Sequence, residues 1–275
     1  VQGGNIYAAR TDSPAIRSLI SAAYCTEPAC IPNLITMMQK LLNIDTDGVI
    51  ISGGGSIETA GHYTPRNLVA QNTRLTRFKE GYDFFYRRSE LGSSPTDSFT
   101  TQYDGALKPG TDGVHYSAQD LVIQDPWTVS ATESYVIFVD GNLTIENPSD
   151  FATLIEVEEG GFLAFIVSGN ITFAANVGHA NLANQAPNVE GIYIAENQII
   201  VRTNDDPAVG DRRFIGAGSF IGWGGVDLQR DFADLGSGAT FNLTIPTETF
   251  IYRPDMVLNT PKFMLSPRSI WQETN

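Results

Sequence analysis

Basic residues are scarce in this chain: 17 Lys and Arg stand against 31 Asp and Glu, for a formal net charge of −14, and only four of the 17 are lysines. Nucleic-acid binding rests on neutralising phosphates with Lys and Arg, so this balance argues against a nucleic-acid partner. Long apolar runs are missing as well. No stretch of 18 apolar residues occurs, so no segment reads as a membrane-spanning helix. Histidine appears three times, as His62, His115 and His179, and none lies in a Ser or Cys nucleophile motif. Cysteine appears twice. Cys25 and Cys30 bracket TEPA, and two thiols so close around a proline can join only in a tight turn. In an oxidising compartment they form a small disulfide loop; in a reducing one they are two thiols without metal-ligand partners nearby.

What the chain does have is a repeat. VDGNLTI at 139–145 returns as VSGNITF at 167–173, 28 positions later. Val136, Phe138, Leu143 and Ile145 become Ala164, Ile166, Ile171 and Phe173, then Ile192, Ile194, Ile199 and Val201. A fourth copy, one residue short, reads Ser219, Ile221, Gly224, Val226 and Leu228. Within each pair the step is two, the period of a strand with one buried face, whereas the pairs lie five apart and so need a corner between them. The corner slot holds Gly141, Gly169 and Asn197, residues that tolerate positive φ at low cost. A unit of this length that buries its apolar face only by stacking copies predicts an all-β fold, a right-handed parallel β-helix or solenoid with about 28-residue turns. Inward residues then form files such as Phe138 over Ile166 over Ile194, and Asn142 and Asn170 form an amide ladder. A β-sandwich with two similar hairpins is the alternative.

The template also fits, partially, Ile50, Ser52, Gly55, Ile57 and Thr59, and at the start Val1, Gly4, Ile6 and Ala8. Because Val1 falls inside a template whose first position is missing, the natural chain is expected to continue upstream or to have been cut there. The reading divides the sequence into N-terminal solenoid turns with a disulfide-pinned insert (1–60), a helical insertion and surface loop (61–120), the main repeats (121–240) and an extended, Pro-rich edge or cap segment (241–275). TDSPAIRSLISAAY has an Asp12/Ser13 cap before Pro14, a helix start. IPNLITMMQKLLN reads as a second helix, with its β-branched residues leaving a strand open. Over 64–91, Leu68, Leu75, Phe78, Tyr82 and Phe85 make the stripe of an amphipathic helix that Gly81 weakens.

Candidate chemistry is thin. Carboxylates do not recur on neighbouring turns: Asp140 maps to Ser168 and then to Glu196, which skips a turn and is too far for paired-carboxylate glycoside hydrolysis. GGVDLQRDF places Asp227 and Arg230 near Trp223, either a salt-bridged corner or a sugar contact. Asn43, Asp45 and Asp47 occupy the first ligand positions of a calcium loop, but Gly54 stands where a bidentate Glu is needed. Arg74, Arg77, Arg87 and Arg88 load one segment with positive charge, which docks either on the chain's own acidic body or on an acidic partner. The sequons at Asn142, Asn170 and Asn242 read, for the first two, as corner Asn followed by strand Thr rather than as glycosylation sites.

VQGGNIYA, CTEPACIPNLIT, GVIISGGGSI, YDFFYRR, IFVDGNLTI and the RPDMVLNTPKF tail together resemble repeat-bearing surface proteins of uncultivated bacteria. That resemblance implies an extracellular or cell-surface β-rich module, supplies no catalytic residue, and implies that CTEPACIPNLIT is a disulfide-pinned loop and strand. The expected role is a non-catalytic structural or adhesive module whose partners are neighbouring copies, upstream domains or a polysaccharide. A carbohydrate-active β-helix enzyme and a calcium-dependent binding module are the alternatives.

Overall fold

The computed structural model describes residues 80–89, 91–100, 102–204, 209–232 and 245–265, with the backbone of strands at 6–8, 16–18, 49–52, 57–58 and 68–70. The chain is mostly β. The N-terminal strands are β1 (Ile6–Ala8), β2 (Ile16–Ser18), β3 (Val49–Ser52), β4 (Ile57–Glu58) and β5 (Leu68–Ala70). A short helix α1 (Tyr82–Tyr86) precedes β6 (Gly113–Ser117), β7 (Leu121–Ile123), β8 (Trp127–Val129), β9 (Ser134–Val139) and β10 (Leu143–Ile145). Then come β11 (Ile155–Val157), β12 (Phe162–Val167), β13 (Ile171–Phe173), β14 (Val189–Ala195), β15 (Gln198–Val201), β16 (Phe214–Gly222), β17 (Gly225–Leu228), β18 (Glu248–Ile251) and helix α2 (Pro254–Leu258).

Two parallel sheets result. The larger is ordered β5-β3-β1-β16-β14-β12-β9-β6, with β8, β11 and β18 joined off that path; the smaller is ordered β4-β2-β17-β15-β13-β10-β7. The 28-residue step is the register of the ladders. Phe138 stands opposite Ile166 and Ile166 opposite Ile194, while Leu143 pairs with Ile171 and Ile171 with Ile199. The shortened copy is in register too, Ile194 with Ile221 and Ile199 with Val226. Since every pairing between named strands is parallel, the hairpins of the sandwich alternative do not occur among the described residues.

Alternation along each strand sorts the side chains into two apolar layers. Between the sheets, Phe173 of the smaller meets Tyr193, Phe214 and Phe220 of the larger at ring-centroid distances of 5.2, 5.0 and 5.8 Å. The file Trp127, Phe165, Tyr193, Phe220 continues this layer, each ring 5.0 to 5.6 Å from the next. Phe138 points the other way. It meets Tyr82 and Tyr86 of α1 edge-on at 5.8 and 5.7 Å, so the file Phe138, Ile166, Ile194 lies on the outer face of the large sheet, under α1, rather than inside. Both faces of that sheet are therefore buried, which is why β12 reads FLAFIV without a polar residue.

The corner glycines are there for a different reason than left-handed backbone. Gly141 and Gly169 are absent from the positive-φ residues. A Cβ on Gly169 would lie 2.6 Å from the Gly141 carbonyl oxygen, so close stacking of successive corners excludes a side chain. The asparagine ladder forms as expected: Asn142 N–H donates to Asp120 Oδ1 (2.7 Å), Asn170 N–H to Asn142 Oδ1 (2.9 Å) and Gln198 N–H to Asn170 Oδ1 (3.1 Å).

Several local expectations fail. Ile6 and Ala8 pair with Ile50 and Ser52, so they are the first pair of their unit, not the second; the second strand starts at Ile16, opposite Ile57. Residues 16–18 are thus strand where the Pro14 signal predicts helix. The 64–91 stripe is also broken. Leu68 belongs to β5, and among the described residues of this stretch helix covers Tyr82–Tyr86, with Gly81, extended at φ −98 and ψ −157, as its N-cap rather than an interior residue. At the C-terminus β18 pairs with β16, as an edge segment should, and Pro254 then opens α2, where its missing N–H costs nothing.

Asn188 is 1% exposed and ties three segments. Its side chain donates to Ala152 O (3.1 Å) and accepts from Ile215 N–H (2.8 Å). Asn188→Ala should lower the unfolding free energy by about 2 kcal/mol, read from the urea midpoint, because a buried N–H and a buried carbonyl lose their partners.

Candidate functional site

The residues singled out for ligand binding cluster at one end of the β6–β17 ladders but do not face a common space. Trp223, in the turn from β16 to β17, donates its indole N–H to Glu80 O (3.2 Å), pinning the segment that leads into α1. Arg230 is fully buried. Its guanidinium donates to Ala174 O (2.9 Å), Arg202 O (3.1 Å) and Arg212 O (2.9 Å), and lies over the Phe214 ring. It is a clamp on three backbone segments, not a sugar contact. Asp227 Oδ2 accepts from Gln229 Nε2 (2.8 Å), whereas its Oδ1 is buried with no hydrogen-bond partner among the described residues.

Beside Arg230 sits a carboxylate that the sequence reading passed over. Glu248 Oε1 accepts the Arg230 backbone N–H (3.0 Å), and Oε2 accepts from the Thr247 hydroxyl (2.5 Å). Burial pushes the Glu248 carboxyl up to about 7 and pulls the Arg230 guanidinium down to about 10. The folded state therefore holds the Glu248 proton more tightly than the unfolded chain does. Its contribution to stability is complete below the ordinary glutamate range and is lost as pH rises through about 7. Glu248→Gln should flatten that pH slope, so that the variant gains roughly 3 kcal/mol on the parent between pH 4 and 8, measured by denaturant titration at each pH.

A second, half-buried cluster was also missed. Arg253 donates to Glu190 (2.8 Å), Asp255 (2.6 Å) and Val157 O (3.0 Å), and Val157 N–H donates to Glu190 Oε2 (2.9 Å). The signal available was RPD at the head of α2, where a carboxylate two residues after an arginine invites a local pair. Burial raises the Glu190 carboxyl against the opposing pull of Val157 N–H and Arg253.

Of the basic segment, Arg87 and Arg88 lie among the described residues. Arg88 donates to Phe263 O (2.7 Å) and to Leu265 O and lies over Phe84, while Arg87 is exposed. Arg74, Arg77, Cys25, Cys30, Asn43, Asp45 and Asp47 lie outside the described residues. On the Asp140 file, Ser168 Oγ and Tyr116 OH donate to Asp140 (3.2 and 3.3 Å), and Tyr82 N–H donates to Glu196 Oε2 (3.0 Å). His179 is buried in a polar nest, with Ala186 O at 2.7 Å from Nε2 and Asn184 Nδ2 at 3.1 Å from Nδ1. Among the described residues no group of three His, Cys, Asp or Glu is placed to hold a metal ion. Nor is any described helix long and apolar enough to cross a membrane.

The remaining candidate is the strand edge itself. No protein family, curated protein or solved structure matches this chain. The edge must be read from its own geometry. At the β6 end the ladder is closed: Ser98 N–H donates to Tyr116 O (2.8 Å), Ala106 N–H to Val122 O (2.8 Å), and Trp127 Nε1 to Ala106 O (3.3 Å). Phe99 and Ala106 seal the apolar layer there. At the other end the β16–β17 edge is taken by the N-terminal strands, with Ala8 opposite Gly222, Ile16 opposite Val226 and Arg17 opposite Asp227.

Proposed function

We propose that this chain is a structural or adhesive module of a bacterial cell-surface protein or extracellular fibre, and that its two parallel sheets are faces of one right-handed β-solenoid. The observation that carries the reading is the extension of both ladders beyond β16 and β17 by strands from the other end of the sequence. A parallel edge that accepts a strand from so far away is an edge built for augmentation. Passage of the chain from one sheet to the other at each 28-residue step supports the coil. The buried clusters support a scaffold role in turn, since Arg230 and Arg253 spend their donors on backbone and carboxylates of their own chain.

Negative-stain micrographs and sedimentation velocity on the purified chain test the reading. Rods or filaments that lengthen with concentration are expected. Dispersed compact particles at every concentration, or release of oligosaccharides from acidic or neutral polysaccharides that one carboxylate substitution abolishes, would overturn it.

A further inference from the structure

The stacking order does not follow the sequence. From β6 the ladder runs through β9, β12, β14 and β16 and then passes to β1, β3 and β5, so the first strands of the chain sit beyond the last repeats. The chain then returns along the outside. Glu80 is beside Trp223, Tyr82 beside Glu196 and Phe138, and Tyr86 beside Tyr116, which places residues 80–86 across the large sheet on the way back to β6. Among the described residues, the N-terminal strands meet β16 and β17 through strand pairing, and nothing in chain order forces the two to come from the same molecule.

Resting on the assembly reading above, we infer that the β16–β17 edge is an exchangeable joint, completed either by the chain's own β1 and β2 or by those of a second copy. Three observations carry the inference. All pairings across the joint are parallel and in register, so a donor from another copy makes the same bonds as the chain's own donor. Charges alternate along the file that crosses the joint, Asp227 then Arg17 then Glu58, and Asp227 Oδ1 is a buried acceptor with no partner among the described residues, a position that calls for a donor. The connection from Ala70 to Glu80 has nine residues between its ends, a reach of about 30 Å, against the roughly 14 Å that three strand spacings require. The surplus leaves the donor unit able to engage its own edge or a neighbour's. Simple end-to-end stacking is not the route, because residues 97–106 close the β6 end.

Charge reversal in two separate full-length chains distinguishes exchange from self-closure. Asp227→Arg sets like charges at the joint in one chain, and Arg17→Asp does so in the other, whether each closes on itself or pairs with its own kind. Mixed, every joint between unlike chains is opposite in sign. Sedimentation of the equimolar mixture should show the heteromeric species enriched roughly tenfold over self-association of either variant. As a second measurement that needs no charge reversal, Arg17→Cys and Asp227→Cys chains are mixed and oxidised, and a peptide cross-link between positions 17 and 227 of different chains is expected by mass spectrometry. If the parent forms filaments but neither mixture couples the two positions between chains, the joint is wrong and the assembly reading stands. If the parent stays dispersed and neither mixture couples, both fall.

Discussion

Ile166→Asp should yield a chain without a cooperative unfolding transition and with its β-sheet circular dichroism lost. Ile166 has 0% of its surface exposed and stands in register between Phe138 and Ile194, on a sheet whose two faces are both covered. A carboxylate there has no cation to pair with, since its neighbours in the file are apolar. The cost is roughly 5 kcal/mol or more, a large part of the margin by which domains are stable. Ile166→Val removes only one methylene and should cost about 1 kcal/mol, which separates loss of packing from burial of charge. A soluble Ile166→Asp protein with the parent's urea midpoint would show that the outer face is not the packed layer described.

Arg230→Met is the second large effect. The guanidinium satisfies carbonyls of Ala174, Arg202 and Arg212, which belong to successive repeats, and its side chain is fully buried. Methionine fills much of the volume but leaves three enclosed oxygens without donors and removes the charge facing Glu248. The expected loss is about 3 to 5 kcal/mol by urea denaturation. Arg230→Lys should recover little of it, because a single ammonium on a flexible stem cannot reach three carbonyls that a planar fork reaches at once. Parent-like stability in either variant would sink the clamp.

The ladders were legible because each repeat writes its neighbours. A strand flanked on both sides by near copies of itself must place Phe138, Ile166 and Ile194 in one file, and Asn142 and Asn170 in one corner. Which way the file faces was not legible, since Ile137 and Phe138 are both apolar and alternation marks a face only when the other face is wet. The helix stripe over 64–91 misled for a related reason: Leu68 and Tyr82 share a helical spacing, but one is taken by a ladder with β3 and the other by the sheet's outer face. Position of the first strands beyond the last repeats has no local signal at all, being a pairing over more than two hundred residues. At Arg230 the sequence leaves a salt-bridged corner or a sugar contact open and does not point to an enclosed clamp, because arginine is rarely enclosed; three carbonyls converging from separate repeats are visible only once the repeats are stacked.

The segment from Glu80 to Tyr86 touches the Trp223 turn, Glu196, Phe138 and Tyr116, and so spans most of the repeats from outside. Arrays with only neighbour-to-neighbour contacts melt from their tips inward, one unit at a time. Here a girth line runs from the Trp223 turn to β6, so within that block one repeat cannot fray without pulling on the others, and heat or force should meet a single abrupt yield of the block instead of a gradual unzipping.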